Sequence, residues 1–380
     1  MRNTISKRAI RNFLRHIESI TDQHRRRFYA IYLSDAKSRL EDRLDAGKYR
    51  RETLENFDIL GRLGEGAFGI VLLARYKADG ALFAIKVLDK FKMEVRGCQN
   101  ETIRERNLAA SVQTNFVVRA LYSFQDPHNA YIVTEFAEYG DLNLQFVAKE
   151  NVHVSEKLIK LITAQIVLAI EYLHACSILH RDLKPANVLL FKDGCVKVSD
   201  LGCSKKIEHY TTTFQGTIEY CAPEVIIKKP YGKAVDWWSL GAMLFDLVFK
   251  EPPFGRKKTG EEKRHGRASM MEEVCTTTFE FPEPSEFPNI TMSGEFKNLI
   301  CELLAPDANA RLGGKRGGAK HVRAHSWFRE INFLTLFFGG YKNSLIAELP
   351  DGVALMRAEP PAEVPRSEGL CEDQTLFADF

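Results

Sequence analysis

From Phe57 the chain runs through short stretches rich in β-branched and aromatic residues: 57–63, Ile70–Tyr76, Leu82–Leu88, Val117–Phe124 and Ala130–Phe136. Gly, Asp and a Pro-His-Asn turn signal separate them, which predicts a small antiparallel sheet. One helical stretch, Asn100–Ala110, interrupts it. Farther on the period lengthens, and Lys157–His174 and Ala234–Phe249 carry apolar faces wide enough to be buried in a larger helix-rich lobe. The expected class is α+β and bilobal, with a small lobe over 57–136 and a large lobe over 137–328. Upstream, Phe28, Tyr32, Ala36, Leu40 and Leu44 recur at every fourth position, which predicts a helical extension within 1–56 packed on the domain. A basic amphipathic helix on a membrane is the competing reading, disfavoured because acidic residues interrupt the basic face. Residues 255–273 read as a charged, solvated loop. Residues 329–380 read as a C-terminal tail whose Pro-, Glu- and Gly-rich part, 348–373, is extended.

Composition narrows the class without naming a chemistry. At 380 residues, 45% hydrophobic and 27% charged, the chain is ordinary globular protein, and a net charge of +3 is too small to argue for nucleic acid. No window of about 18 consecutive apolar residues occurs, the N-terminus is polar, and Arg2 stands where myristoylation needs glycine. No membrane or nucleic-acid partner is expected, and the expected location is cytoplasmic or nuclear. The eight cysteines are scattered without a C-x-x-C pair and read as reduced thiols.

Candidate chemistry begins at Gly64-Glu65-Gly66-Ala67-Phe68-Gly69, where glycines between two strands let backbone N–H groups approach phosphates. A dinucleotide site would need a helix next, and Ile70-Val71-Leu72-Leu73 continues as strand instead. A merely flexible hairpin fits this motif as well. Ala84-Ile85-Lys86 then places a lysine in an apolar strand, where an ammonium needs an anionic partner, and Glu105 on the following helix can supply one. Further along stand His180-Arg181-Asp182-Leu183-Lys184-Pro185-Ala186-Asn187, Val198-Ser199-Asp200-Leu201-Gly202 and Ala222-Pro223-Glu224.

In order and approximate spacing this set resembles that of the eukaryotic protein kinases, over about Phe57 to Phe328. YGKAVDWWSL at Tyr231–Leu240, Arg311-Leu312-Gly313 and His325-Ser326-Trp327-Phe328 look like the AGC group, in particular the cyclic-nucleotide-dependent kinases. The resemblance implies a Ser/Thr protein kinase using ATP and Mg²⁺. Asp182 would be the base, Lys184 would neutralise the moving phosphoryl group, Thr217 would bridge to Asp182, and Asn187 and Asp200 would hold the metal. Gly64, Gly66, Phe68, Gly69, Val71, Ala84, Lys86, Glu105, Thr134, Glu135, Ala137, Asp141 and Leu189 would surround the nucleotide. Protein substrates are implied, with a separate regulatory subunit or an upstream activating kinase as further partners. Thr213 matches the activation-segment phosphosite, opposite Arg181 and Lys205. Asp236 and a Glu224–Arg311 ion pair would be structural.

Departures from the pattern bear on activity. Leu201 replaces the Phe of D-F-G, Glu101 stands where a cation usually meets the activation-loop phosphate, and the tail lacks the aromatic-acidic motif that reaches the adenine pocket. Ala109 stands where a larger residue stacks beneath the Glu105 helix, which favours an inactive arrangement. These departures motivate the alternative of a pseudokinase scaffold without efficient catalysis. Asp141 matches the reader of a substrate arginine three before the acceptor. Of the two acids that read the arginine two before, Asp246 is kept and Ala186 replaces the other. Phe214, Ile218 and Cys221 would form an apolar pocket for the residue after the acceptor. The terminal Phe377-Ala-Asp-Phe380 is similar to a motif that folds back onto the small lobe.

Overall fold

The computed structural model describes residues 7–46 (side chains 21–45), 52–66, 69–149, 151–255, 266–277, 279–283, 285, 287, 290–360, 364, 369–371 and 377. Phe68, Phe380 and the middle of the charged 255–273 stretch lie outside the described residues.

Five strands, β1 (Phe57–Gly66), β2 (Gly69–Tyr76), β3 (Leu82–Asp89), β4 (Ala120–Gln125) and β5 (Asn129–Glu135), form one antiparallel sheet in the order β1-β2-β3-β5-β4. Side chains alternate across it. Leu72, Ala74, Ile85, Val87 and Val133 bury on its outer face with Phe57, Phe124 and Tyr131. Ala84 and Lys86, one residue out of phase, are left for the opposite face. Helices α1 (Lys7–Ser34) and α2 (Ala36–Ala46) precede the sheet, and α3 (Lys90–Val95) and α4 (Gln99–Ser111) lie within it in sequence.

The large lobe is built on α5 (Glu156–Ala175), capped by the Ser155 hydroxyl accepting from Leu158 N–H at 3.1 Å. This helix is apolar enough to cross a membrane, but 89% of that stretch is buried inside the lobe. Short pairs β6 (Ile178–Leu179) with β9 (Lys205–Lys206), and β7 (Val188–Leu190) with β8 (Val196–Val198), carry the loops that face the small lobe. Helices α6 (Pro223–Ile226), α7 (Ala234–Phe249), α8 (Arg267–Thr276), α9 (Gly294–Leu303), α10 (Ala319–Arg323), α11 (Phe333–Phe337) and α12 (Lys342–Ala347) complete it.

Two expectations are corrected. Phe28 does not lie on the packed face of the extension: it is exposed, and Tyr29 is buried instead, with Tyr32, Ala36, Leu40 and Leu44 packed against the core. Residues 267–273 belong to a helix, because Met270 and Val274, one turn apart, are buried. All eight cysteines are free thiols.

Candidate active site

Between the lobes lies a cleft of about 420 Å³. Gly64, Gly66, Val71 and Ala84 line its roof, Thr134, Glu135, Ala137 and Asp141 its back and hinge edge, and Leu189 and Ala186 its floor. Gly69 does not line it. Its role is close packing, since a Cβ there would sit 1.8 Å from the Val87 carbonyl oxygen.

Lys86 reaches across the cleft to Glu105 Oε1 at 2.6 Å and lies 3.8 Å from Asp200 Oδ1. Burial works against its charge, but Glu105 and Asp200 outweigh that and raise the pKa of the ammonium. The Lys86 charge beside Asp200 in turn holds that carboxylate below its ordinary range. The pair is therefore made despite Ala109, and the inactive arrangement expected from Ala109 is not the one observed. Ala109 lies one turn from Glu105 on α4 and lines the cleft.

The catalytic-loop candidates converge below. Asp182 Oδ1 accepts from Thr217 N–H at 2.8 Å and Thr217 Oγ1 at 2.6 Å, while Oδ2 accepts from Asn187 Nδ2 and lies by Lys184 Nζ, both at 3.0 Å. Lys184 Nζ also donates to Thr217 Oγ1 at 2.7 Å. Because the Asn187 amide nitrogen is committed to Asp182, its oxygen remains as a hard donor. With the ionised Asp200, whose side chain is 45% exposed, it makes a donor set suited to Mg²⁺.

Asp236, fully buried on α7, sets the backbone of this loop. It accepts from His180 N–H at 3.0 Å, Arg181 N–H at 2.9 Å and His174 Nε2 at 2.7 Å. Burial raises its pKa, but these donors prevail and hold it low. Arg181 sits at φ 68°, a left-handed conformation that only such anchoring sustains. Arg311 meets Glu224 through two bonds of 2.7 and 3.0 Å.

In the activation segment, Lys205 Nζ donates to Thr211 Oγ1 at 2.8 Å and Thr213 Oγ1 at 3.3 Å. Arg181 is buried and donates to Cys203 O and the Tyr231 hydroxyl, and that hydroxyl donates to Thr213 O. Arg181 is thus already hydrogen-bonded to neutral oxygens. Asp141 Oδ1 accepts from Leu144 N–H at 2.8 Å, and burial pushes its pKa up. Asp246 is only 2% exposed and holds the Tyr220 hydroxyl.

Sequence reasoning missed Met356. The tail lacks the aromatic motif yet reaches the cleft: Met356 lines it, and its N–H donates to Glu138 O at 2.6 Å. Three residues on, Glu359 pairs with Arg62 on β1 through two backbone hydrogen bonds, 3.1 and 2.9 Å, and an ion pair at 2.7 Å. Phe377 is buried in the core with Lys90 Nζ 5.1 Å from its ring centre.

The protein kinase domain family matches residues 57–328, so the chain belongs to the protein kinase family. Its relatives place it in the AGC group of Ser/Thr protein kinases. It is 33% identical over 295 residues to cAMP-dependent protein kinase type 3 of Saccharomyces cerevisiae, covering 78% of this chain and 69% of that one. It is 35% identical over 304 residues to the RAC-beta serine/threonine-protein kinase of Homo sapiens, covering 79% and 60%. With the cAMP-dependent protein kinase catalytic subunit of Dictyostelium discoideum the figures are 33% over 288 residues, 76% of this chain and 42% of the relative.

Proposed function

We propose that the protein transfers the γ-phosphoryl group of ATP to Ser and Thr hydroxyls of protein substrates, with arginine favoured three residues before the acceptor. The observation that carries the reading is the Asp182 carboxylate, held on both oxygens by Thr217, Asn187 and Lys184 at 2.6–3.0 Å. So held, it can accept the proton of an incoming hydroxyl while Lys184 faces the charge of the moving group. Lys86, fixed by Glu105, would hold the α- and β-phosphates. Asn187 and Asp200 would hold Mg²⁺, which supplies neutralisation of the phosphate charge.

Substrate choice follows from which carboxylates are accessible. Asp141 lies at the hinge edge of the cleft and suits a guanidinium. Asp246 is sealed beneath Tyr220, and Ala186 stands at the position of the second acid, so arginine two before the acceptor gains little. Phosphate on Thr213 would lie beside Lys205 and order the segment.

An arrayed peptide library with labelled ATP tests this. Selection of R-x-x-S/T followed by an apolar residue, loss of more than about nine-tenths of turnover in Asp182→Asn and Asp200→Asn, and phosphate on Thr213 in the active fraction are expected. Nucleotide binding without turnover in the wild type would instead establish the scaffold reading.

A further inference from the structure

Helix α1 has two apolar faces, and the domain uses one. Tyr29 and Tyr32 dock on the large lobe: the Tyr29 hydroxyl donates to Glu171 at 2.6 Å, and the Tyr32 ring stacks 5.6 Å from Tyr172. Phe28 and Ile31 turn away and remain 54% and 44% exposed. Beside them Phe338, just past α11, is 43% exposed, its ring centre 5.9 Å from that of Phe28 and 5.4 Å from the Arg25 guanidinium carbon. Scattered exposed apolar residues are ordinary, but aromatic rings from two segments side by side form a patch. The sequence continues the register of that patch along the helix, since Ile10, Phe13, Ile17, Ile20, His24, Phe28 and Ile31 fall within about 80° of arc at 3.6 residues per turn.

Charge selects what covers this stripe. Between Lys7 and Ser34 the helix carries Lys7 and six arginines against Glu18 and Asp22, a net of +5, while the whole chain nets only +3. The acidic residues therefore leave the basic surplus standing, and Asp22 is paired with Arg26 at 2.8 Å. A second copy of the chain would bring two such helices together, with His24 and Arg27 interrupting the seam, so like charges oppose it. An anionic surface is attracted along the whole length. A basic helix of this kind with Phe and Ile on one face lies in the headgroup region of a bilayer.

We propose that α1, with Phe338, docks this protein onto bilayer surfaces rich in anionic phospholipid, Phe28 and Ile31 entering the headgroup layer. The proposal takes up the reading of a basic amphipathic helix on a membrane and runs against the expectation of no membrane partner.

The test is co-sedimentation of the full chain with vesicles of phosphatidylcholine alone or with about 30% phosphatidylserine. Binding to the anionic vesicles alone is expected, weakened at high salt. The double variant F28E/I31E should lose at least about tenfold in partitioning while thermal melting and peptide phosphorylation in solution stay unchanged, because both side chains are exposed and outside the cleft. Three results would overturn the proposal: no preference for anionic vesicles, a double variant that sediments like wild type, or a lipid-independent dimer in sedimentation velocity that the same substitutions dissolve.

Discussion

Asp236→Asn tests whether the catalytic loop is held in a strained conformation from beneath. The carboxylate offers two acceptor oxygens to three donors, His174 Nε2, His180 N–H and Arg181 N–H. An amide keeps one oxygen and turns a donor toward the remaining groups, so at least one backbone N–H loses its partner in either orientation. A hydrogen bond to a charged acceptor contributes about 1.5–3 kcal/mol. Arg181 at φ 68° stores strain that relaxes once the bond is gone, and Asp182 is the next residue. If about 3 kcal/mol of positioning energy is lost, kcat falls about a hundredfold, at 1.36 kcal/mol per decade. Lys86, Glu105 and Asp200 are untouched, so KM for ATP should stay within about threefold. Steady-state kinetics with a peptide substrate measures both. A variant whose kcat stays within about threefold of wild type would refute the anchoring role of Asp236.

Two other predictions address the cleft and the large lobe. Thr134 and Ala109 both line the cleft with small side chains, so bulky inhibitors reaching behind adenine should bind. Thr134→Met should weaken them at least about tenfold in competition assays while sparing KM for ATP, and equal inhibition of both forms would count against an open back pocket. Burial pushes the Lys250 ammonium down to about 8, with Asp246 partly opposing. The unfolded chain, with its ordinary value of 10.5, then holds more protons than the folded one between about pH 8 and 10.5, so this residue makes stability rise with pH across that window. Urea midpoints of Lys250→Met should lack that rise, and an unchanged slope would show that Lys250 is solvated.

The chemistry was legible because it forces residue identity at short, fixed intervals. His180 to Asn187 lie in one loop, so Asp182, Lys184 and Asn187 meet as soon as that loop folds. Ala84 and Lys86 were named through the resemblance, and the alternation of β3, which sets Lys86 opposite the buried Ile85 and Val87, puts both on the cleft side. What escaped depends on geometry that spacing does not carry. A four-residue repeat overshoots a helical turn by about 40° at each step, so a face drawn through Leu44, Leu40, Ala36 and Tyr32 has rotated off Phe28 and onto Tyr29. Asp246 looked like a substrate reader, but its burial under Tyr220 comes from the packing of α7 against the segment before α6. Met356 enters the cleft through a backbone hydrogen bond to Glu138, and backbone bonds leave no trace in residue identity.

The tail that carries Met356 ties together parts that must separate during turnover. Through Glu138 it grips the hinge, and through Arg62 it extends the free edge of the sheet just before the glycine-rich turn. In a kinase, nucleotide exchange requires the two lobes to part, and the parting often limits the rate. The 356–359 segment thus spans from the hinge to β1, and any movement of the small lobe away from the hinge must carry this short stretch along or break its two hydrogen bonds to Arg62.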